Sequence, residues 1–134
     1  MNNIAVSNFT GESEFIKYPD DPTRNGLSGV GKEVTFISED TVCNVVRGDE
    51  FCQSKNIVNF ELLKIDAEGH DFNVIEGFEK LINVKAIDVI QFEYTFKHAD
   101  LGIPLRRYYD FFKSKGYALG PVRKTGIEFY ERFD

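Results

Sequence analysis

The sequence predicts an α/β fold, with parallel strands first and an antiparallel pair at the C-terminus. Three observations carry that expectation. Phe60-Glu61-Leu62-Leu63-Lys64-Ile65 and Ala86-Ile87-Asp88-Val89-Ile90-Gln91-Phe92 are near-continuous apolar runs of strand length, the kind buried on both faces of a parallel sheet. Between them, Phe72, Ile75, Phe78 and Ile82 recur at helical spacing from Asp71 to Ile82, with Val74 and Leu81 widening the stripe. Strand, helix and strand in this order make a βαβ unit with a right-handed crossover. Finally, Lys124-Thr125-Gly126 is a turn signal between Tyr117-Ala118-Leu119 and Ile127-Glu128-Phe129-Tyr130.

The other elements follow in chain order. Ile4-Ala5-Val6 predicts a short strand, and Ser13 to Tyr18 a second, with Phe15 and Ile16 as its apolar part. The stretch from Pro19 to Gly31 is rich in Pro, Gly and Asx and reads as a long surface loop. Val34-Thr35-Phe36-Ile37 and Thr41-Val42-Cys43-Asn44-Val45-Val46 are β-rich. Gly48 to Lys55 suits a short helix carrying Phe51, and Asn83 suits the end of the crossover helix. A last helix is expected over Leu105 to Lys115, with Tyr108, Tyr109 and Phe112 inward, Pro104 in its first turn and Gly116 just past its end.

Composition narrows the function classes. A chain of 134 residues, 42% hydrophobic with 13 Phe, is one domain with enough apolar mass for a core. A net charge of −6 argues against nucleic acid or an anionic membrane as the partner. No apolar run approaches the about 20 residues of a membrane span, and Met1-Asn2-Asn3-Ile4 does not open a signal peptide. Two cysteines, Cys43 and Cys52, are too few for a disulfide framework, suit a reducing cytoplasm and are expected to pack as small apolar groups. With His70 and His98 as the remaining soft ligands, a closed zinc site has little to draw on.

In an open α/β sheet, ligands sit beyond the carboxyl ends of the strands. Both central strands end in acids: Ile65-Asp66-Ala67-Glu68-Gly69-His70-Asp71 and Phe92-Glu93-Tyr94. Asp66, Glu68 and Glu93 are expected to rim one crevice, where carboxylates accept a proton, bind a hydroxyl or amine, or hold a divalent cation. The competing reading is helix capping, which suits Asp71 and weighs level with function for Asp66 alone. Three acids together favour a site, because they repel unless something binds them. A metal-dependent hydrolase or nuclease using Asp66, Glu68 and Glu93 is one alternative, and a non-catalytic interaction module is another. His98, in Lys97-His98-Ala99-Asp100, is expected at the surface, Tyr108, Tyr109, Phe111 and Phe112 in the core, and Arg106 and Arg107 on a solvated helix face.

Leu63-Lys64-Ile65-Asp66-Ala67-Glu68-Gly69, then Asp71, then Val74-Ile75-Glu76-Gly77 closely resembles the signature of FkbM-type methyltransferases. Asp71 stands where that family usually has Glu, and Ile75 where it has Leu. Val89 to Tyr94, Asn3 to Ser7 with Thr10-Gly11, Gly48 to Phe51 and Gly116-Tyr117 are similar to flanking family segments, so the resemblance covers nearly the whole chain. It implies a class I, Rossmann-like fold and transfer of a methyl group from S-adenosylmethionine to an oxygen, on a sugar or other small metabolite. It places Asp66, Glu68 and Glu93 as catalytic or acceptor-orienting groups, Ser7, Asn8 and Asp66 near the cofactor, and His70 and Tyr94 on the substrate side.

The family's opening strand, of the type Val-Asp-Val-Gly-Ala-Asn-x-Gly, and its second, acid-ended strand have no counterpart here. Gly26-Leu27-Ser28-Gly29-Val30-Gly31 is a weak substitute, because no strand precedes it. The expectation is therefore a partial class I methyltransferase sheet: one domain, residues 1–134, truncated at its N-terminus. Its first strand is expected to lack a partner. The Phe60–Ile65 strand is expected to expose an apolar edge open to self-association. Cofactor binding by this chain alone is expected to be weak or absent.

Overall fold

The computed structural model describes residues 4–17, 26–27, 39–96, 98 and 101–133. The elements are β1 (Ala5–Ser7), β2 (Gly11–Lys17), β3 (Gly26–Leu27), β4 (Glu39–Arg47), α1 (Gly48–Ser54), β5 (Phe60–Ile65), α2 (Asp71–Gly77), α3 (Glu79–Asn83), β6 (Ile87–Phe92), α4 (Leu105–Ser114), β7 (Val122–Arg123) and β8 (Gly126–Ile127). The mixed α/β class holds. β5 and β6 are parallel, in the register Phe60↔Ile87, Leu62↔Val89 and Ile65↔Phe92, while β7 and β8 are antiparallel.

The N-terminal sheet departs from expectation. Its order is β1-β4-β2-β3. β1 does have a partner: β4 runs parallel to it, from Ala5↔Val45 to Ser7↔Arg47, and antiparallel to β2, from Gly11↔Val45 to Lys17↔Glu39. The long, β-branched β4 thus supplies a ladder on each of its edges. Gly26 and Leu27, expected in a loop, form β3 against β2, while the rest of Pro19 to Gly31 and Val34 to Ile37 lie outside the described residues.

The crossover is also not one helix. It breaks at Phe78, whose φ of −100° and ψ of 14° leave the helical range. Two local causes are visible. Gly77 is pressed against β1, so that a Cβ there would sit 2.1 Å from the Ser7 carbonyl oxygen. The buried Asp49 carboxylate accepts from the Lys80 and Leu81 N–H groups at 3.1 Å each, capping α3 from a neighbouring helix.

The core gathers Cys52, Ile65, Phe72, Val74, Ile75, Phe78, Ile82, Ile87, Tyr108 and Phe112. All four residues of the predicted stripe are buried, and each contributes on the order of 2 kcal/mol of burial. Phe92 stacks on Tyr108 at 4.7 Å and on Phe112 at 5.7 Å, which fixes α4 against the end of β6. The opposite face is open: the cross-strand pair Leu62 and Val89 is 53% and 46% exposed. Burial of β5 and β6 on both faces is therefore corrected, because only one face is covered among the described residues. Within them, β6 is the only ladder partner of β5.

The C-terminal hairpin is shorter than its sequence suggests. Beyond the two-residue strands, Glu128 donates to the Pro121 carbonyl and Tyr130 to that of Leu119. Pro121 has no N–H to return, and Gly120 lies against the Glu128 carbonyl, so the ladder stays irregular. No helix among the described residues is long and apolar enough to cross a membrane.

Candidate active site

Because Ile65 pairs with Phe92, Asp66 and Glu93 step off neighbouring parallel strands side by side. Glu68 reaches the same place from the turn after β5. It does so with φ of +50°, in the left-handed region that disfavours a side chain, and Gly69 follows at +101°. The result is a cluster in which one carboxylate oxygen each from Asp66, Glu68 and Glu93 lies within 4.8 Å of the others. Asp66 and Glu93 are exposed and Glu68 is half-buried. Lys64 offsets part of the charge from 3.7 Å, at Asp66.

At that spacing two unit charges repel by about 1 kcal/mol in water, and by several times more once water is excluded. The cluster is thus tolerable while wet. It becomes a strong site when a ligand closes it and brings either a proton to be taken or a positive charge.

A second, buried polar group lies beside the cluster. Asp71, the first residue of α2, and His98 are wholly buried. Asp71 Oδ2 accepts from the Gly69 N–H at 3.2 Å and lies 3.3 Å from His98 Nε2. His98 Nδ1 accepts from the Thr95 N–H at 3.1 Å, so Nε2 carries the proton and donates to Asp71. The expected surface position of His98 is corrected: its ring is stacked on Tyr94 at 5.1 Å with Tyr108 edge-on at 6.0 Å. Among the described residues, the buried Asp71 Oδ1 and Tyr108 hydroxyl have no well-formed hydrogen-bond partner, the hydroxyl approaching the Phe72 backbone. Burial, then the nearby Asp71 and Tyr94, push the Tyr108 hydroxyl far above its ordinary pKa.

His70 takes a different partner. Its Nε2 is 2.9 Å from Ser7 Oγ, at the end of β1. Burial pulls its pKa below the ordinary value, with Asp71 opposing. Ser7 is wholly buried, and Asn8 donates to Glu76 at 2.9 Å. Tyr94 is half-buried and directs its hydroxyl to the Ile103 carbonyl at 3.4 Å. The structure therefore brings Asp66, Glu68 and Glu93 together, while Ser7, Asn8, His70 and Tyr94 hold one another or the framework.

Sequence reading missed the Asp71–His98 pair, for which Lys97-His98-Ala99-Asp100 gives no apolar signal. It also missed Arg47, which donates to the Asn8 and Glu76 carbonyls at 2.8 Å each and ties β1 to α2. The 300 Å³ hollow lined by Tyr109, Lys113, Tyr117 and Tyr130 lies against α4 and the hairpin and contains none of the three clustered acids.

Compared with known proteins, residues 1–119 match the family model described as the methyltransferase FkbM domain. No curated protein and no solved structure matches. The match spans most of the chain and includes both carboxylate-bearing strand ends, so the chain belongs to the FkbM methyltransferase family.

Proposed function

We propose that this chain provides the acceptor side of an S-adenosylmethionine-dependent O-methyl transfer, with a hydroxyl of a sugar or other small metabolite as acceptor. The observation that carries the reading is the convergence of Asp66, Glu68 and Glu93 within 4.8 Å at the ends of β5 and β6. Membership in a methyltransferase family supports it from the other side. A neutral hydroxyl is a poor nucleophile. A carboxylate within hydrogen-bond reach draws its proton away as the new bond forms, and the other carboxylates orient neighbouring hydroxyls of a polyol. The cofactor supplies an electrophilic methyl group. The residues at hand fit it poorly, since Ser7 and Asn8 are spent on His70 and Glu76. Those bonds support a weak cofactor affinity, and the free thiols of Cys43 and Cys52 suit action in the reducing cytoplasm.

The test is transfer of label from methyl-tritiated S-adenosylmethionine, at millimolar concentration, to a panel of monosaccharides and polyols. The expected product carries label stable to alkali, as an ether is. Label released by mild base, as from an ester, would contradict the proposal. A second reading is favoured by the same spacing: the three carboxylates suit a divalent cation that binds the acceptor oxygens. Manganese titrated into the protein and followed by water-proton relaxation separates the two. Transfer that persists in a chelator assigns the carboxylates to the acceptor itself.

A further inference from the structure

We infer that Asp71 and His98 are a positioning pair that fixes the spacing of the two carboxylate-bearing loops, and so holds Asp66, Glu68 and Glu93 together. The β5–β6 ladder ends at Ile65↔Phe92, one residue short of Asp66 and Glu93. Beyond that point the strands no longer set the separation of the segments. There one carboxylate oxygen bridges them: Asp71 Oδ2 takes the Gly69 N–H from the first loop and the His98 Nε2–H from the second. His98 is itself tied to its own loop, through Nδ1 to the Thr95 N–H and through its carbonyl to the Ile103 N–H at 2.8 Å. Its ring has no freedom to turn, being stacked on Tyr94 and met edge-on by Tyr108.

Both side chains are wholly buried, so neither can meet an acceptor, and proton transfer has no use for them. What they can do is resist. The three acids repel, and the two loops would relax apart if nothing held them. A wholly buried hydrogen bond, screened little by salt, is suited to hold them against that repulsion. The inference rests on the acceptor-site reading only for what the cluster is for. The convergence it explains is present whatever the chemistry.

A double-mutant cycle in denaturant tests it without substrate. If the pair holds the acids together, Glu93→Gln relieves stored repulsion and raises the unfolding midpoint of the wild type, by less as salt is added. In His98→Leu, where the loops are free to part, the same change should leave the midpoint unmoved. His98→Gln keeps an N–H donor and should behave as the wild type does. Equal shifts in the wild-type and His98→Leu backgrounds, or no shift in the wild type, would overturn the inference. Should His98→Leu not fold, Asp71→Asn, which weakens the same bond without changing shape, takes its place in the cycle. The outcome is independent of methyl transfer: failure to transfer label leaves the cycle readable, and an additive cycle leaves the transfer reading intact.

Discussion

The N-terminal sheet and the β5–α2–α3–β6 unit are held in different ways. The second is built on burial: Ile75 and Ile82 are fully enclosed, and Phe72, Phe78 and Ile87 lie beside them in one apolar cluster shared with α4. Among the described residues, the first lends that cluster Val6, half-buried, and is joined to the second by polar links: Ser7 with His70, Asn8 with Glu76, and Arg47 with the Glu76 carbonyl at 2.8 Å. Burial is non-directional and tolerates adjustment, whereas hydrogen bonds demand geometry and are lost one at a time. The three acids stand on the unit held by burial. Damage to the two regions should therefore read differently.

The largest effect is expected from Ile75→Ala, which opens a cavity at the centre of the buried unit. It should cost about 3–4 kcal/mol in denaturant unfolding, with the transition still cooperative. Next is Gly77→Ala. The added Cβ would meet the Ser7 carbonyl at 2.1 Å, so β1 must move, at a cost of about 2–3 kcal/mol. Its signature is loss of hydrogen-exchange protection in β1 and β4 ahead of β5 and β6. Arg47→Met should show the same order of loss at about 2 kcal/mol, since it leaves the Asn8 and Glu76 carbonyls short of a donor.

The pH dependence is smaller and its sign is fixed. His70 has a folded pKa below its unfolded value of 6.5, chiefly through burial. The unfolded chain therefore binds the proton more readily, and this contribution to stability is complete above 6.5 and is lost as pH falls toward the depressed folded value. Unfolding midpoints measured across that window should decline, and His70→Gln should flatten the decline. The smallest effect is Tyr108→Phe. Among the described residues its buried hydroxyl has no well-formed hydrogen bond, only an approach to the Phe72 backbone, so removing it should change stability by less than about 1 kcal/mol. A loss above about 1 kcal/mol would reveal a partner for that hydroxyl.

Much of the buried unit was legible, because its signals are local. The stripe Phe72, Ile75, Phe78 and Ile82 has one period and one face, and the acids at Asp66 and Glu93 directly follow strand runs. The break at Phe78 was not legible: it comes from Asp49 and Ser7, which lie 29 and 71 residues away in sequence and act through a cap and a steric contact. His98 was misplaced for a related reason. A polar tetrapeptide reads as surface, and only a carboxylate brought from another element makes burial affordable. The pairing of β1 with β4 escaped because family topology offered it no partner, whereas β4 is long enough to serve two neighbours.

The claim that Asp66, Glu68 and Glu93 act as one acceptor-side unit is tested most directly by methyl-transfer rates. Asp66→Asn, Glu68→Gln, Glu93→Gln and the triple variant would be compared with the wild type at saturating cofactor. If one carboxylate takes the proton while the others orient the acceptor, every single change should lower kcat, at least one of them by on the order of a hundredfold or more, and the triple change by little beyond that worst single one. Undiminished transfer in the triple variant would contradict the account.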